Sequence, residues 1–215
     1  MYLEIIDDFL TKSYHKNILE LLLSQKFDWM YCDDMTDSAR KDKSEENFNG
    51  YGFAHYFWDE EKGSQPPLGG FIEPALYQMM DVAKCEGILR ARADLTTWSK
   101  DEYIHLPHVD YFFPNVGTVY YVNDSDGDTI LYNVKPENAS NSCHPEQKDL
   151  KIVERVSPKA NRLALFDGAL LHTGSSPSKH KNRILINSNF SYEAGLPLQG
   201  ARGAELPPLY NEKLR

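Results

Sequence analysis

The sequence predicts a mainly β protein, with N-terminal helices packed on a double-stranded β-helix, or jelly roll, of about eight strands. Two observations carry that expectation. From residue 88 onward, short β-like segments recur between turn-rich breaks with no helical period between them. Ahead of that point, two stretches have the apolar spacing of amphipathic helices. The length of 215 residues suits one domain, and 41% hydrophobic with 12% aromatic residues suffices for a full core. The expected division is a helical support with a variable loop over 1–87, the β core over 88–192, and a C-terminal extension over 193–215.

In chain order, "YLEIIDDFL" reads as a strand and "TKSYHKNILELLLSQ" as a helix. Thr11 stands at its N-cap, and Tyr14, Ile18, Leu21 and Leu22 form its apolar stripe. Residues 31–50, "YCDDMTDSARKDKSEENFNG", are polar and aperiodic, which predicts a surface loop with a lid over the site as the alternative. "GFAHYFWDEEKGSQPPLGG" mixes aromatics with turn residues and gives no clear period. Pro74 suits a first helical turn, so a second helix is expected over "PALYQMMDVAKC". The strand segments follow: "ILRARADLTTW", "EYIHLPHVDYF", "GTVYYVN", "DTILYN", "LKIVERVS", "NRLALF", "ALLHTGS" and "NRILINSNFSY". Breaks such as "NDSDGD", "SPKAN" and "SPSKHKN" separate them with strong turn chemistry.

Charge and cysteine usage exclude several classes. Twenty-three basic against thirty-two acidic residues leave a net charge of −9, which argues against nucleic acid as a partner. Cys32, Cys85 and Cys143 are odd in number and follow no metal-ribbon spacing, as expected of reduced thiols in a cytoplasm. The first residues carry acids where a secretion signal carries bases, and no apolar run reaches the length of a membrane span. No phosphate-binding glycine loop and no nucleophile elbow is present.

The chemistry concentrates in "HLPHVDYF", "LLHTGS" and "KNRILINSN". His108 and Asp110 lie two apart, so on one strand they face the same way. Such a pair can be a packed polar contact, half of an acid–base device, or two metal ligands. With seven histidines in the chain, neither the pair nor His172 decides this alone. Together, two imidazoles and a carboxylate make a facial set that holds Fe(II) and leaves coordination positions open. His105, three positions before His108, would face the other way on a continuous strand. Parity also puts Val119, Tyr121 and Asn123 on one face, with Thr118, Tyr120 and Val122 on the other. In the last strand Arg183, Leu185, Asn187 and Asn189 oppose the apolar Ile184, Ile186 and Phe190, which aims Arg183 into the barrel.

In these motifs the chain resembles the Fe(II)/2-oxoglutarate-dependent dioxygenases, in particular their prolyl-4-hydroxylase-like branch. The likeness covers about residues 95–192: "HVD", then "YYVN", then "NRLALFDGALLHTGS", then "NR" with Arg183. It implies a jelly-roll, cupin-like core and Fe(II) held by His108, Asp110 and His172. It further implies 2-oxoglutarate as cosubstrate, held by Arg183 and Tyr121, with Asn123 a candidate beside them. Dioxygen would be the oxidant, succinate and carbon dioxide the co-products, and ascorbate a candidate reductant. Branches that halogenate lack the carboxylate ligand, so Asp110 points to hydroxylation. The substrate would be a protein side chain, prolyl-like, or a small molecule. A non-catalytic jelly-roll binding module and a cupin-like metalloenzyme independent of 2-oxoglutarate are the alternatives.

Overall fold

The computed structural model describes residues 3–36, 50–136 and 150–193. The proposed lid falls mostly on 37–49 and the C-terminal extension on 194–215, outside the described residues, as do Cys143 and His144. Two helices and twelve strands are present among those described. In order they are β1 (Leu3–Ile6), α1 (Lys12–Leu22), β2 (Met30–Cys32), β3 (Gly52–Asp59), β4 (Gly63–Ser64), α2 (Gly69–Ala83) and β5 (Gly87–Thr97). Then follow β6 (Tyr103–Ile104), β7 (Val116–Tyr121), β8 (Thr129–Tyr132), β9 (Ile152–Val156), β10 (Arg162–Asp167), β11 (His172–Ser176) and β12 (Asn182–Ser191).

The strands make two antiparallel sheets. The larger runs β1-β10-β7-β12-β5-β3-β2, with β4 on β3, and the smaller runs β6-β11-β8-β9. Strand β7 is buried along its whole length because it is covered on both faces. On one face Tyr120 and Val122 meet α1 and α2 through Ile18, Leu22, Leu76 and Met79. On the other, Val119, Tyr121 and Leu185 meet Leu131 and Val156 of the smaller sheet. The alternation read from β7 and β12 therefore holds: Ile184, Ile186 and Phe190 pack on the helical side, Leu185 between the sheets.

Three features differ from the sequence expectation. The N-terminal third is more than helical support, because β1, β2 and β3 all join the larger sheet. The aromatic segment at 52–59 is a strand, with Ala54 and Phe57 buried on opposite faces. Helix α2 starts at Gly69, so Pro74 lies inside it rather than in its first turn. Proline there leaves the Gly70 carbonyl without its helical donor, and Gly70 is exposed to water.

Candidate active site

The predicted strand around His108 is broken. β6 ends at Ile104, and His108 rejoins the structure through one isolated bridge to His172. Their backbones exchange two hydrogen bonds, His108 N–H to His172 O and the reverse, each 2.9 Å. This pairing brings the two imidazoles together, with ring centroids 4.9 Å apart and planes tilted by 49°. The His108 Nδ1 lies 3.1 Å from Leu106 O and the His172 Nδ1 2.9 Å from Leu170 O. Each Nδ1–H donates to its carbonyl, so each Nε2 turns a lone pair inward. Asp110 completes the group: Oδ1 is 3.8 Å from His108 Nε2, and Oδ2 is 3.7 Å from His172 Nε2. One ligand atom from each of the three lies within 4.8 Å of the others. The donor set and its convergence fit a divalent transition metal such as Fe(II).

The protonation states suit that role. Burial, with His172 beside it, pushes His108 down to about 4, so its ring is neutral at physiological pH. Burial works against the Asp110 carboxylate, but the Arg90 guanidinium together with His172 and His108 outweighs it and holds the group well below the usual range. Arg90 Nη2 stands 2.7 Å from Asp110 Oδ1, while Asn189 Nδ2 donates to Oδ2 at 3.1 Å. Arg90 and Asn189 also bond each other at 3.1 Å. Neither was expected from the motif. The signal was available in "ILRARADLTTW", whose alternation sends Arg90, Arg92, Asp94 and Thr96 to one face.

Arg183 is 6% exposed and lies on the floor of the cavity that the two histidines line. Its Nη2 donates to Thr129 Oγ1 at 2.7 Å, and Tyr121 OH donates to the same oxygen at 2.7 Å. The guanidinium also sits 5.8 Å from the centroid of the Tyr121 ring. Its Nε–H is buried without a partner. Two glycines make the space: a Cβ on Gly127 would lie 2.9 Å from Arg183 Cδ, and one on Gly174 would lie 3.0 Å from Nη1. A buried cation with an unspent donor is suited to a carboxylate. Thr129, absent from the sequence-based set, ties Arg183 to Tyr121.

Asn123 stands apart. Its Oδ1 accepts from Ile184 N–H at 2.8 Å, and its Nδ2 faces Asn182 and Asp124 oxygens, so its amide clamps the end of β7 to β12. It is absent from the cavity lining. His105 departs from the expectation in its direction. The chain leaves strand geometry between Ile104 and His108, parity does not carry across, and His105 lines the same cavity. Its Nε2 lies 3.1 Å from Ser176 Oγ, and it is not part of the metal-binding group. Burial, with Arg183 nearby, pushes it down to about 3.

No protein-family model matches the sequence, and no curated protein matches it. Solved structures do match across most of the chain. SnoN, a non-haem α-ketoglutarate-dependent epimerase of nogalamycin biosynthesis, aligns with a TM-score of 0.59 at 10% identity, over 95% of this chain and 87% of its own. A prolyl-4-hydroxylase of Pseudomonas putida aligns at 0.53 and 13%, over 88% of this chain and 92% of its own. HygX of Streptomyces hygroscopicus, solved with nickel, 2-oxoglutarate and hygromycin B, aligns at 0.53 and 13%, over 95% and 86%. The protein therefore has the double-stranded β-helix fold that Fe(II)/2-oxoglutarate oxygenases share, prolyl-4-hydroxylases included.

Proposed function

We propose that the protein is an Fe(II)- and 2-oxoglutarate-dependent oxygenase that hydroxylates a C–H bond of a protein side chain or a small molecule. The observation that carries the reading is the convergence of His108, Asp110 and His172 beside one cavity, lined by both histidines and by a buried Arg183 with an unspent donor. Bound iron and 2-oxoglutarate would supply the oxidation, in which one oxygen atom of O2 enters the substrate and the other enters succinate, with loss of CO2.

The chain's own residues do the positioning. His108 and His172 offer Nε2 because Leu106 and Leu170 fix the tautomer. Arg90 and Asn189 hold the Asp110 carboxylate in one orientation. Arg183, tied to Tyr121 through Thr129, would hold the distal carboxylate of the cosubstrate, and burial would strengthen that ionic contact. Asn123 belongs to the strand clamp rather than the cosubstrate site. A cytoplasmic location is part of this reading, supported by free thiols at Cys32 and Cys85.

A binding module or a cupin-like enzyme without 2-oxoglutarate would have no use for a buried arginine beside the metal group, because such a charge is costly to bury. The test is anaerobic titration with Fe(II) and then 2-oxoglutarate, following the visible band the two form together, then succinate formation in air. The wild type should show both, and His172→Ala neither. A wild type lacking both would leave the binding-module reading in its place.

A further inference from the structure

The inner face of β5 carries a charged row that the metal and cosubstrate do not use. Opposite β12, Arg90 pairs with Asn189, Arg92 with Asn187, Asp94 with Leu185 and Thr96 with Arg183. Arg90 touches the metal carboxylate at one end, and Thr96 faces the cosubstrate arginine at the other. Arg92 and Asp94 lie between these ends, in the cavity lined by His108 and His172.

We infer that Arg92 and Asp94 form the substrate-recognition wall, and that the substrate is a zwitterion of the free α-amino-acid type. This rests on the oxygenase reading above. The two side chains are 15% and 10% exposed, and Nε of Arg92 is 2.6 Å from Oδ1 of Asp94. Only the second contact, Nη2–H to Oδ2 at 3.2 Å, is aligned as a hydrogen bond. Arg92 Nε and Asp94 Oδ1 are buried without an aligned partner, as is the Thr96 hydroxyl. Tyr56 backs the guanidinium at 5.8 Å.

The fold has little reason to keep this pair, since a buried ion pair is often no more stabilising than apolar residues of the same volume. The pair lines the cavity beside the two histidines, on the β5 face between Arg90 and Thr96. A ligand of one charge would be repelled by one member of the pair. An apolar ligand would strip water from both without replacing it. A carboxylate against Arg92 and an ammonium against Asp94 close a ring of alternating charges. A neutral amide could enter the same ring, but charge-assisted hydrogen bonds are about twice as strong.

The experiment uses the full chain loaded with Fe(II) and 2-oxoglutarate, in air, and measures succinate formation and the oxidised product. The probes are the common free L-α-amino acids, their N-acetyl derivatives, their amides and short peptides of the same residues. At least one free amino acid should raise succinate formation about tenfold or more over the substrate-free rate, with its N-acetyl and amide forms weaker by about tenfold in KM. Asp94→Asn should shift the ratio of N-acetyl to free amino acid by about tenfold toward the acetylated form. Equal or better stimulation by a peptide or a blocked form overturns the zwitterion. So does substrate-free succinate formation that no free amino acid raises. If Asp94→Asn fails to fold, the wild-type comparison still decides. A wild type with neither band nor succinate fails the oxygenase reading itself, a result distinct from all of these.

Discussion

At Arg183 the guanidinium is held by Thr129, backed by Tyr121 and fitted between two glycines, so substitutions there separate cosubstrate binding from metal binding. Arg183→Ala is expected to weaken 2-oxoglutarate by about 2–5 kcal/mol, the cost of removing one partner of a buried charged pair. Thr129→Val keeps the shape and removes one hydroxyl, so it should cost about 0.5–2 kcal/mol. Anaerobic titration of the Fe(II)–2-oxoglutarate band reads both, and unchanged affinity in Arg183→Ala would remove that residue from the cosubstrate site. Arg183 was legible because strand parity points it inward, and His108, Asp110 and His172 because of their residue types and motif spacing, although Asp110 lies outside any strand. Thr129, Arg90 and Asn189 were less legible. Parity assigns a face, but only the strand order, with β12 between β5 and β7, brings Arg90 and Asn189 together over Asp110.

Between elements, the joint of β10, α1 and β7 rests on one residue in a left-handed conformation, Asn161, at φ +63°. Its side chain donates to Leu10 O at 2.8 Å and accepts from Leu10 N–H at 2.9 Å and Tyr120 OH at 3.0 Å. Tyr120 in turn takes the Nδ1–H of His15 at 2.6 Å. Asn161→Ala loses all of these bonds and the tolerance for positive φ, and should destabilise by about 2–4 kcal/mol in urea unfolding. Burial lowers the His15 pKa against the pull of Asp124 and Asp8. A histidine held neutral in the fold binds fewer protons than in the unfolded chain once the pH drops below about 6.5. Its contribution is therefore complete above that pH and lost as the pH falls below it. His15→Gln should flatten the decline of thermal stability between about pH 7 and 5 relative to wild type. Parallel curves would show that His15 does not drive it. Helix α1 and the other core strands were legible because their periods are clean, whereas "EYIHLPHVDYF" keeps only β6 and the His108 bridge. Strand β3 was not, since its bulge against β5 between Tyr56 and Trp58 and its aromatic exterior blur the alternation.

Across the whole molecule, the smaller sheet brings His172 and, through its bridge, His108 to the site, while Arg90 and Asn189 of the larger sheet hold Asp110 there. Three buried or half-buried donors converge there, with one ligand atom of each within 4.8 Å of the others. Metal binding therefore joins segments 62 residues apart, and it should act on global stability rather than on one loop. A ligand that binds only the folded state at a hundred times its Kd adds about 2.7 kcal/mol. For a chain of this size that corresponds to a rise in Tm of about 5–10 °C. Anaerobic Fe(II), or Mn(II) as a redox-stable stand-in, should produce this shift in the wild type, and a chelator should reverse it. His172→Ala should show no shift at the same metal concentration. Arg183→Ala, whose metal ligands are intact, should keep it. A wild type whose Tm ignores the metal would mean that the three side chains do not act as one site, and the oxygenase reading would lose its metal centre. A shift retained in His172→Ala would place the stabilising ion elsewhere on this acidic protein.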